Sequence, residues 1–442
     1  MPQTADLLAP TTPIATTSGV EMYALVRRLY PICRSITGDG VRESLDILEE
    51  YLPDLQVREV PTGMPVLDWQ VPREWNIRAG WIKNERGERV VDFANHNLHV
   101  LGYSVPVRGW FTLAELKPHL HSLPEQPELI PYRTSYYAET WGFCLPHKQL
   151  LALDEPRYEV CIDSSLTDGA LTYGELLLPG ERAEEVLISC HICHPSLAND
   201  NLSAIAVAVM LARQLHQGPR RYSYRFVFAP GTIGAIAWLS ENSDAVARIR
   251  HGLVLSLLGS EGAFTYKKSR RGSADVDRAV ALALRETAVP HRVVDFIPYG
   301  YDERQYCSPG FNLPVGCLSR TPYAQFPEYH TSADNLDFVQ PEVLADSLLL
   351  IQAALAVLDA NARYQNRSPY GEPELGRRGL YGPVGGAPTH PDEQLALLWV
   401  LNLSDGQHSL LDIAERARLP FAQVRQAADR LLDHELLTLL PD

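Results

Sequence analysis

Hydrophobic residues recur at helical spacing twice near the start of the chain. Met22, Leu25, Val26 and Leu29 form one apolar stripe and Leu45, Leu48 and Leu52 a second, so two helices are expected within residues 19–52, separated by the turn sequence SITGDG. Between about 60 and 160 the pattern becomes short β-like runs rich in Trp, Tyr and Pro, such as WNIRAGWIKN, RVVDFAN and SVPVRGWFTL, which predict a small β-rich module. From Tyr158 onward, apolar strand patterns (YEVCID, GALTYGELLLPG, EVLISCHI, YSYRFVFAP, HGLVLSLLG) alternate with the helical patterns LSAIAVAVMLARQLHQ and IGAIAWLSENSDAVARI. Buried strands alternating with helices indicate an α/β domain with a mostly parallel sheet, in which ligands collect beyond the carboxyl ends of strands.

These patterns divide the chain. Residues 1–18 read as a disordered Thr/Pro/Ala tail, 19–60 with 160–363 as the α/β domain, 61–159 as the inserted β-rich domain, 364–390 as a Gly/Pro/Arg-rich linker, and 391–442 as a winged helix-turn-helix ending in the wing strand ELLTLLP. The longest apolar runs, such as Leu202–Ala212, fall short of the ~20 residues that span a bilayer.

Charge narrows the partners. The 442-residue chain carries a formal net charge of −15, which disfavours nonspecific binding to nucleic acid or to an anionic membrane. In residues 391–442, four arginines (Arg416, Arg418, Arg425, Arg430) face nine acidic residues, a net of −5. The winged helix is therefore expected to contact a protein partner, a second copy of the chain, or the rest of its own chain, and not DNA. Seven cysteines, an odd number without disulfide-framework spacing, and an N-terminus lacking a signal-peptide pattern point to reduced thiols in the cytoplasm.

Three clusters carry candidate chemistry. CHICHPSLANDNLS (190–203) brings His191, Cys193, His194 and Asp200 together at a strand end. Imidazole nitrogen and carboxylate oxygen are zinc ligands, although a loop histidine, a helix N-cap aspartate and a buried inert thiol account for the same residues. PEYHTSADNLDFV (327–339) places His330 before an expected helix start, and YGYDERQYCSPG (299–310) gathers Asp302, Glu303, Arg304, Tyr306 and Cys307 in one loop. Cys307 has no histidine beside it in sequence and is a poor candidate nucleophile.

The chain resembles a bacterial aminopeptidase-like family with DUF2172 and DUF4910 domains and a C-terminal winged helix, itself related to the M28 zinc aminopeptidases. The matching words are RSITGDGVR (34–42), YYAETWGFCLPH (136–147), CHPSLANDNLS (193–203), SRRG (269–272), DERQYCSPG (302–310), EYHTSADNLDF (328–338) and LNLSDGQHSLLDIA (401–414). The resemblance implies an M28-like α/β/α domain with the β-rich module inserted and the winged helix appended. It also implies His194 as first metal ligand, with His191 as the alternative, Asp200 as the bridging aspartate and His330 as the final histidine. Two carboxylates of the pattern are missing: Gly231, in PGTIG, stands where a glutamate is expected, and Ser256 or Ser260 where an aspartate is expected, with Glu261 out of register.

Paired metal ions need carboxylates to offset their charge, so the set His194, Asp200, His330 implies one zinc ion more readily than two, with iron as the alternative metal. Glu303 is then the replacement general base, Asp302 a partner that orients a histidine ligand, Arg304 a clamp for a substrate carboxylate, and Tyr306 and Tyr329 further substrate contacts. The function expected is a metal-dependent hydrolase of a peptide or amide bond in a small substrate, within a biosynthetic pathway. The competing readings are a catalytically inactive binding or scaffold protein, and a His-Asp-His metal enzyme of different chemistry.

Overall fold

The strand Glu185–His191 is buried at all seven positions and forms the middle of the molecule's largest sheet. Its run of β-branched and aliphatic residues suits a strand covered on both faces. This computed structural model describes residues 12–381 and 391–441. The chain divides into two compact units, residues 1–274 with 290–349, and residues 275–289 with 350–442.

In the first unit the sheet has eight strands, in the order Gln56–Pro61, Ala170–Leu178, Ser223–Ala229, Glu185–His191, Ile249–Leu255, Val315–Ser319, Phe264–Lys267, His291–Val294. The four strands from Ser223–Ala229 to Val315–Ser319 run parallel, and antiparallel pairings flank them on both sides, so the sheet is mixed with a parallel centre. Helix Ala204–His216 is apolar on nearly every side, and Ala204–Ala212 are all buried. The helical pattern IGAIAWLSENSDAVARI is two helices, Ile233–Glu241 and Ser243–Arg248, with Asn242 between them donating to the Trp238 carbonyl at 2.9 Å.

The insert forms a four-stranded antiparallel sheet in the order Arg89–Asp92, Glu74–Lys83, Arg157–Thr167, Val107–Thr112. It has its own core, which includes Ile82, Val91, Phe143, Tyr158, Val160 and Ile162. The turn SITGDG holds it: Thr37 Oγ1 accepts from the Trp75 N–H at 3.0 Å and lies 2.6 Å from the Tyr103 hydroxyl. Gly38 sits at φ 99°, and a Cβ there would stand 2.2 Å from the Trp75 carbonyl oxygen, so glycine is required by both conformation and space.

The second unit contains helix Asp275–Glu286 and the winged helix-turn-helix: helices Pro391–Leu403, Leu410–Ala417 and Phe421–Asp433, with strand Arg363–Asn366 between Asp405–Ser409 and Leu437–Leu439. Arg278 donates to Asp412 and Glu415, both at 2.6 Å, and Glu286 accepts the Phe421 N–H at 3.2 Å. Part of the winged helix's acidic surface, and the start of its last helix, are thus occupied within the unit.

Several boundaries differ from expectation. The first helix, Thr12–Leu29, starts inside the segment read as a tail, and residues 1–11 lie outside the described residues. The segment read as a linker begins with a strand, Arg363–Asn366, whose partners come from far along the chain, which local composition cannot signal; residues 382–390 lie outside the described residues. Helix Pro341–Ala360 is long and apolar enough to cross a membrane, contrary to the reading that no apolar run approaches that length. It has a mean hydropathy of 1.9 and is 61% buried inside the protein, as core helices are. All seven cysteines are free thiols.

A buried ion network ties the strands at the end of the sheet away from His191. Arg225 Nη1 bonds Glu175 at 2.5 Å, its Nη2 bonds Glu185 at 3.0 Å, and Trp238 Nε1 donates to Glu175 at 2.8 Å. Removing one member strands buried charge. Arg225→Met should lower unfolding stability by about 3–5 kcal/mol, measured by urea denaturation; a loss below about 1 kcal/mol would show that water reaches the glutamates.

Candidate metal centre and cleft

Asp200 has no exposed surface, and burial alone would keep its carboxyl protonated. Its surroundings do the opposite. Oδ1 lies 2.8 Å from His191 Nε2, and Oδ2 lies 3.0 Å from His330 Nε2. Against the cost of burial, nearby His194 and the bonds from His191 and His330 hold the carboxyl well below the usual carboxylate range. Candidate ligand atoms of His191, His194 and Asp200 all lie within 4.8 Å of one another. The His194 and His330 ring centroids are 5.3 Å apart.

Each side chain arrives on a different element. His191 ends its central strand, and His194 follows in the next turn. The His194 carbonyl accepts from Arg34 Nε at 3.0 Å, while Arg34 Nη1 donates to the Leu29 carbonyl at 2.8 Å. Arg34 is buried, makes no ion pair among the described residues, and burial lowers it to about 10. Asp200 lies in an irregular buried segment, Ala198–Ser203, where the Asp200–Asn201 peptide bond is cis. Asp334 accepts the N–H groups of Asn199 at 2.6 Å and Asp200 at 3.0 Å; burial, reinforced by Asp200, pushes Asp334 up to about 8 against those donors. The helix begins only at Ala204, so the N-cap alternative for Asp200 does not apply: its oxygens face imidazoles.

His330 sits in a turn at φ 55°, a left-handed conformation uncommon for a residue with a Cβ, and not at a helix start. The insert holds it there. Tyr132 N–H donates to the His330 carbonyl at 2.8 Å, and Ser332 N–H to the Ile130 carbonyl at 2.9 Å. The Tyr132 ring meets His194 and His330 edge-on at 5.2 and 5.0 Å, and Tyr329 stacks on His330 at 3.9 Å.

These histidines open into a cleft of about 880 Å³ at the carboxyl ends of the parallel strands, walled by the insert on one side. Asp302 lines it and accepts the Thr232 N–H at 2.6 Å; burial raises Asp302 to about 6, against the pull of His191. Arg304 and Tyr329 also line it.

Two expected residues do not. Glu303 is fully buried, forms an ion pair with Lys267 and is not among the residues that line the cleft, so it is not placed to act as base. Tyr306 is buried in the core, 2.9 Å from the Ser189 hydroxyl and edge-on to Trp238. Consecutive residues of the short helix Glu303–Tyr306 point in different directions, and sequence alone could not say which faced the cleft.

His191, read only as an alternative to His194, joins it in the cluster; its place as the last residue of a buried strand was the available signal. Ser256 and Ser260 are buried, and Ser260 Oγ bonds Asn199 Nδ2 at 3.2 Å, so neither position offers a carboxylate. The donor set fits a metal ion: three imidazoles converge on one carboxylate held charged. Burial, with His191, His330 and Arg34 nearby, pushes His194 down to about 3 despite Asp200, which leaves one ring-nitrogen lone pair available at neutral pH.

Comparison with known proteins gives the family and the fold. The profile of the domain of unknown function DUF4910 matches residues 23–361, and a winged helix-turn-helix profile matches residues 362–439. A Clostridium acetobutylicum protein, provisionally named a polysaccharide biosynthesis protein with aminopeptidase-like domain, is 48% identical over 96% of this chain and 97% of its own length. A crystal structure of a provisionally named peptidase from Clostridium acetobutylicum superposes with a TM-score of 0.92 at 46% identity, covering 97% of this chain and 98% of that one. At the level of fold alone, a zinc aminopeptidase from Bacillus subtilis aligns with a TM-score of 0.58 at 13% identity, covering 77% of this chain and 94% of its own. An M28 peptidase precursor from Shewanella amazonensis aligns at 0.55 and 14%, covering 78% and 96%.

The folded metal-free chain keeps His194 neutral down to about pH 3, whereas the unfolded chain takes up that proton near the ordinary value of 6.5. The unfolded state therefore binds more protons in that window, and stability should fall as pH drops from about 6.5 toward 3. Urea unfolding free energies of chelator-treated wild type and His194→Gln across that range check this; the wild type should be steeper by up to about 1.4 kcal/mol per pH unit.

Proposed function

The chain belongs to the DUF4910 family, and on that premise we propose that it is a single-metal hydrolase of a peptide or amide bond in a small substrate. The observation that carries this reading is the convergence of His191, His194 and His330 on one buried, ionised Asp200 at the base of a cleft. The aminopeptidase-like relative and the fold shared with a zinc aminopeptidase favour zinc. A bound zinc ion would supply Lewis acidity toward the amide carbonyl.

The protein's own residues supply the rest. His194, Asp200 and either or both of His191 and His330 would hold the ion. Asp302 is the one carboxylate among the residues lining the cleft, and it takes the role first assigned to Glu303: it accepts a proton from the attacking water and returns it to the leaving nitrogen, so that amide and water become carboxylic acid and amine. Its bond from the Thr232 N–H places it beside Gly231, the position that lacks the expected glutamate. Arg304 offers a guanidinium to a substrate carboxylate, and Tyr329 a ring face. With one neutralising carboxylate in the cluster, a single ion is favoured over two. The relative's name supports a place in biosynthesis, and the free cysteines are compatible with the cytoplasm. The winged helix serves in this reading as a packing or protein-contact element, not a DNA reader.

Elemental analysis of protein purified without a metal-affinity column should find one zinc per chain, lost in His194→Ala and in His330→Ala. Iron in its place would support different chemistry, and no metal after soaking would leave a binding protein. Asp302→Asn should keep its zinc and lose about a hundredfold or more in turnover on an amide-substrate panel. A Cβ at Gly231 would stand 3.5 Å from Cys193 Sγ and His191 Cβ, ordinary contact distances. Gly231→Glu should therefore fold and raise bound zinc above the wild-type level; an unchanged zinc content would show that the glutamate's absence does not set the metal count.

A further inference from the structure

The cleft has a charge pattern that the histidine cluster does not explain. The chain carries a net charge of −15, yet the residues lining the cleft include one carboxylate, Asp302, against two arginines, Arg133 and Arg304. Neither arginine makes an ion pair among the described residues. Arg304 stands beside Asp302, with Nη2 3.3 Å from Thr232 Oγ1. Arg133 belongs to the insert, where it lines the cleft together with His119 and His121.

The backbone at Arg133 and the ring of His119 are held in place. The Arg133 carbonyl accepts from the Gly102 N–H at 2.9 Å, and the neighbouring Tyr132 N–H is tied to the His330 turn at 2.8 Å. His119 stacks flat on Trp141 at 3.7 Å, with Nδ1 bonded to the Trp141 carbonyl at 2.9 Å. The three groups also affect one another: after burial, Arg133 and His119 are the causes that push His121 below its ordinary value. Groups that are positive or become so on protonation, gathered without a counter-ion, repel, and a bound oxyanion removes that cost while gaining charge-assisted hydrogen bonds. Tyr132, edge-on to His194 and His330, and Tyr136 also line the cleft, their hydroxyls 3.1 Å apart.

We propose that Arg133, His119 and His121 form an oxyanion-binding subsite contributed by the insert, so that the cleft takes an amide whose far end carries a carboxylate or a phosphate. The position of the amide rests on the hydrolase reading; the anion subsite does not. The same argument gives the insert a function: it selects the substrate by charge, while the α/β domain carries the reaction.

Calorimetry on the full-length protein tests this with three small amides: N-acetylglycine, N-acetyl-O-phosphoethanolamine and the uncharged N-acetylethanolamine. At least one anionic amide should bind about tenfold or more tightly than the neutral one. Which anion binds better separates a carboxylate-bearing from a phosphate-bearing substrate. The preference should disappear in Arg133→Gln, persist in part in Arg133→Lys, and persist in His194→Ala, whose metal site is broken. Equal or absent binding of all three amides by the wild type overturns the proposal. So does a preference that survives Arg133→Gln, and one lost only in Arg304→Gln would place the anion at Arg304. Absence of zinc or of amide hydrolysis would instead overturn the hydrolase reading and leave the charge preference intact.

Discussion

The site depends on keeping one fully buried carboxylate charged. Asp200 is out of contact with solvent, and its charge is maintained by imidazoles from the end of a strand and from a separate turn. That requirement reaches well beyond the cluster. The irregular segment carrying Asp200 is fixed by hydrogen bonds from nearly every neighbour: Asn199 Oδ1 accepts from Gly259 N–H at 2.9 Å, Asn201 Oδ1 from Leu257 N–H at 3.1 Å, and Ser203 Oγ from Leu258 N–H at 3.0 Å. The loop leaving strand Ile249–Leu255 thus spends its N–H groups on positioning the carboxylate. Asp334 takes the N–H groups on the other side, and its own carboxyl is pushed toward the neutral form while Asp200 is pushed toward the charged form. Two buried acids side by side are tolerable because their environments separate their titrations.

The insert is part of this arrangement and not an ornament on the sheet. It is anchored through Thr37, Trp75 and Tyr103 at one end, and its segment 130–132 pairs with the turn that carries His330 at the other. One module therefore sets the conformation of a candidate ligand and walls the cleft. Arg34, in the first of the family words, has the corresponding role for His194, whose carbonyl it fixes. Both anchors are made of neutral donors and acceptors or an unpaired guanidinium, so they add no further carboxylate beside the cluster.

Much of this was legible in the chain because it is written in local periodicity. Apolar runs such as EVLISCH and AIAVAVMLA report burial on both faces directly, and their alternation identified the α/β class and its sheet. His194, Asp200 and His330 could be named because imidazole and carboxylate chemistry is intrinsic to the residue, and family words marked the positions. Loops were less legible. Asp302, Glu303, Arg304 and Tyr306 are consecutive or nearly so, and their types suit a site equally well, yet only Asp302 and Arg304 face the cleft. Glu303 found a lysine partner from strand Phe264–Lys267, and Tyr306 a serine from strand Glu185–His191, distant in sequence in both cases.

The sequence by itself determined the elements, the acidic balance, the family and the residue types of the cluster, since each follows from composition and spacing over a few turns of chain. Only the tertiary structure decided that His191 joins His194, that Asp302 is the cleft's carboxylate, and that the insert walls the cleft with Arg133. Those facts depend on which way a side chain points from a fixed backbone and on contacts between segments more than a hundred residues apart, as with His330 and Asp200, and neither is encoded in the local pattern.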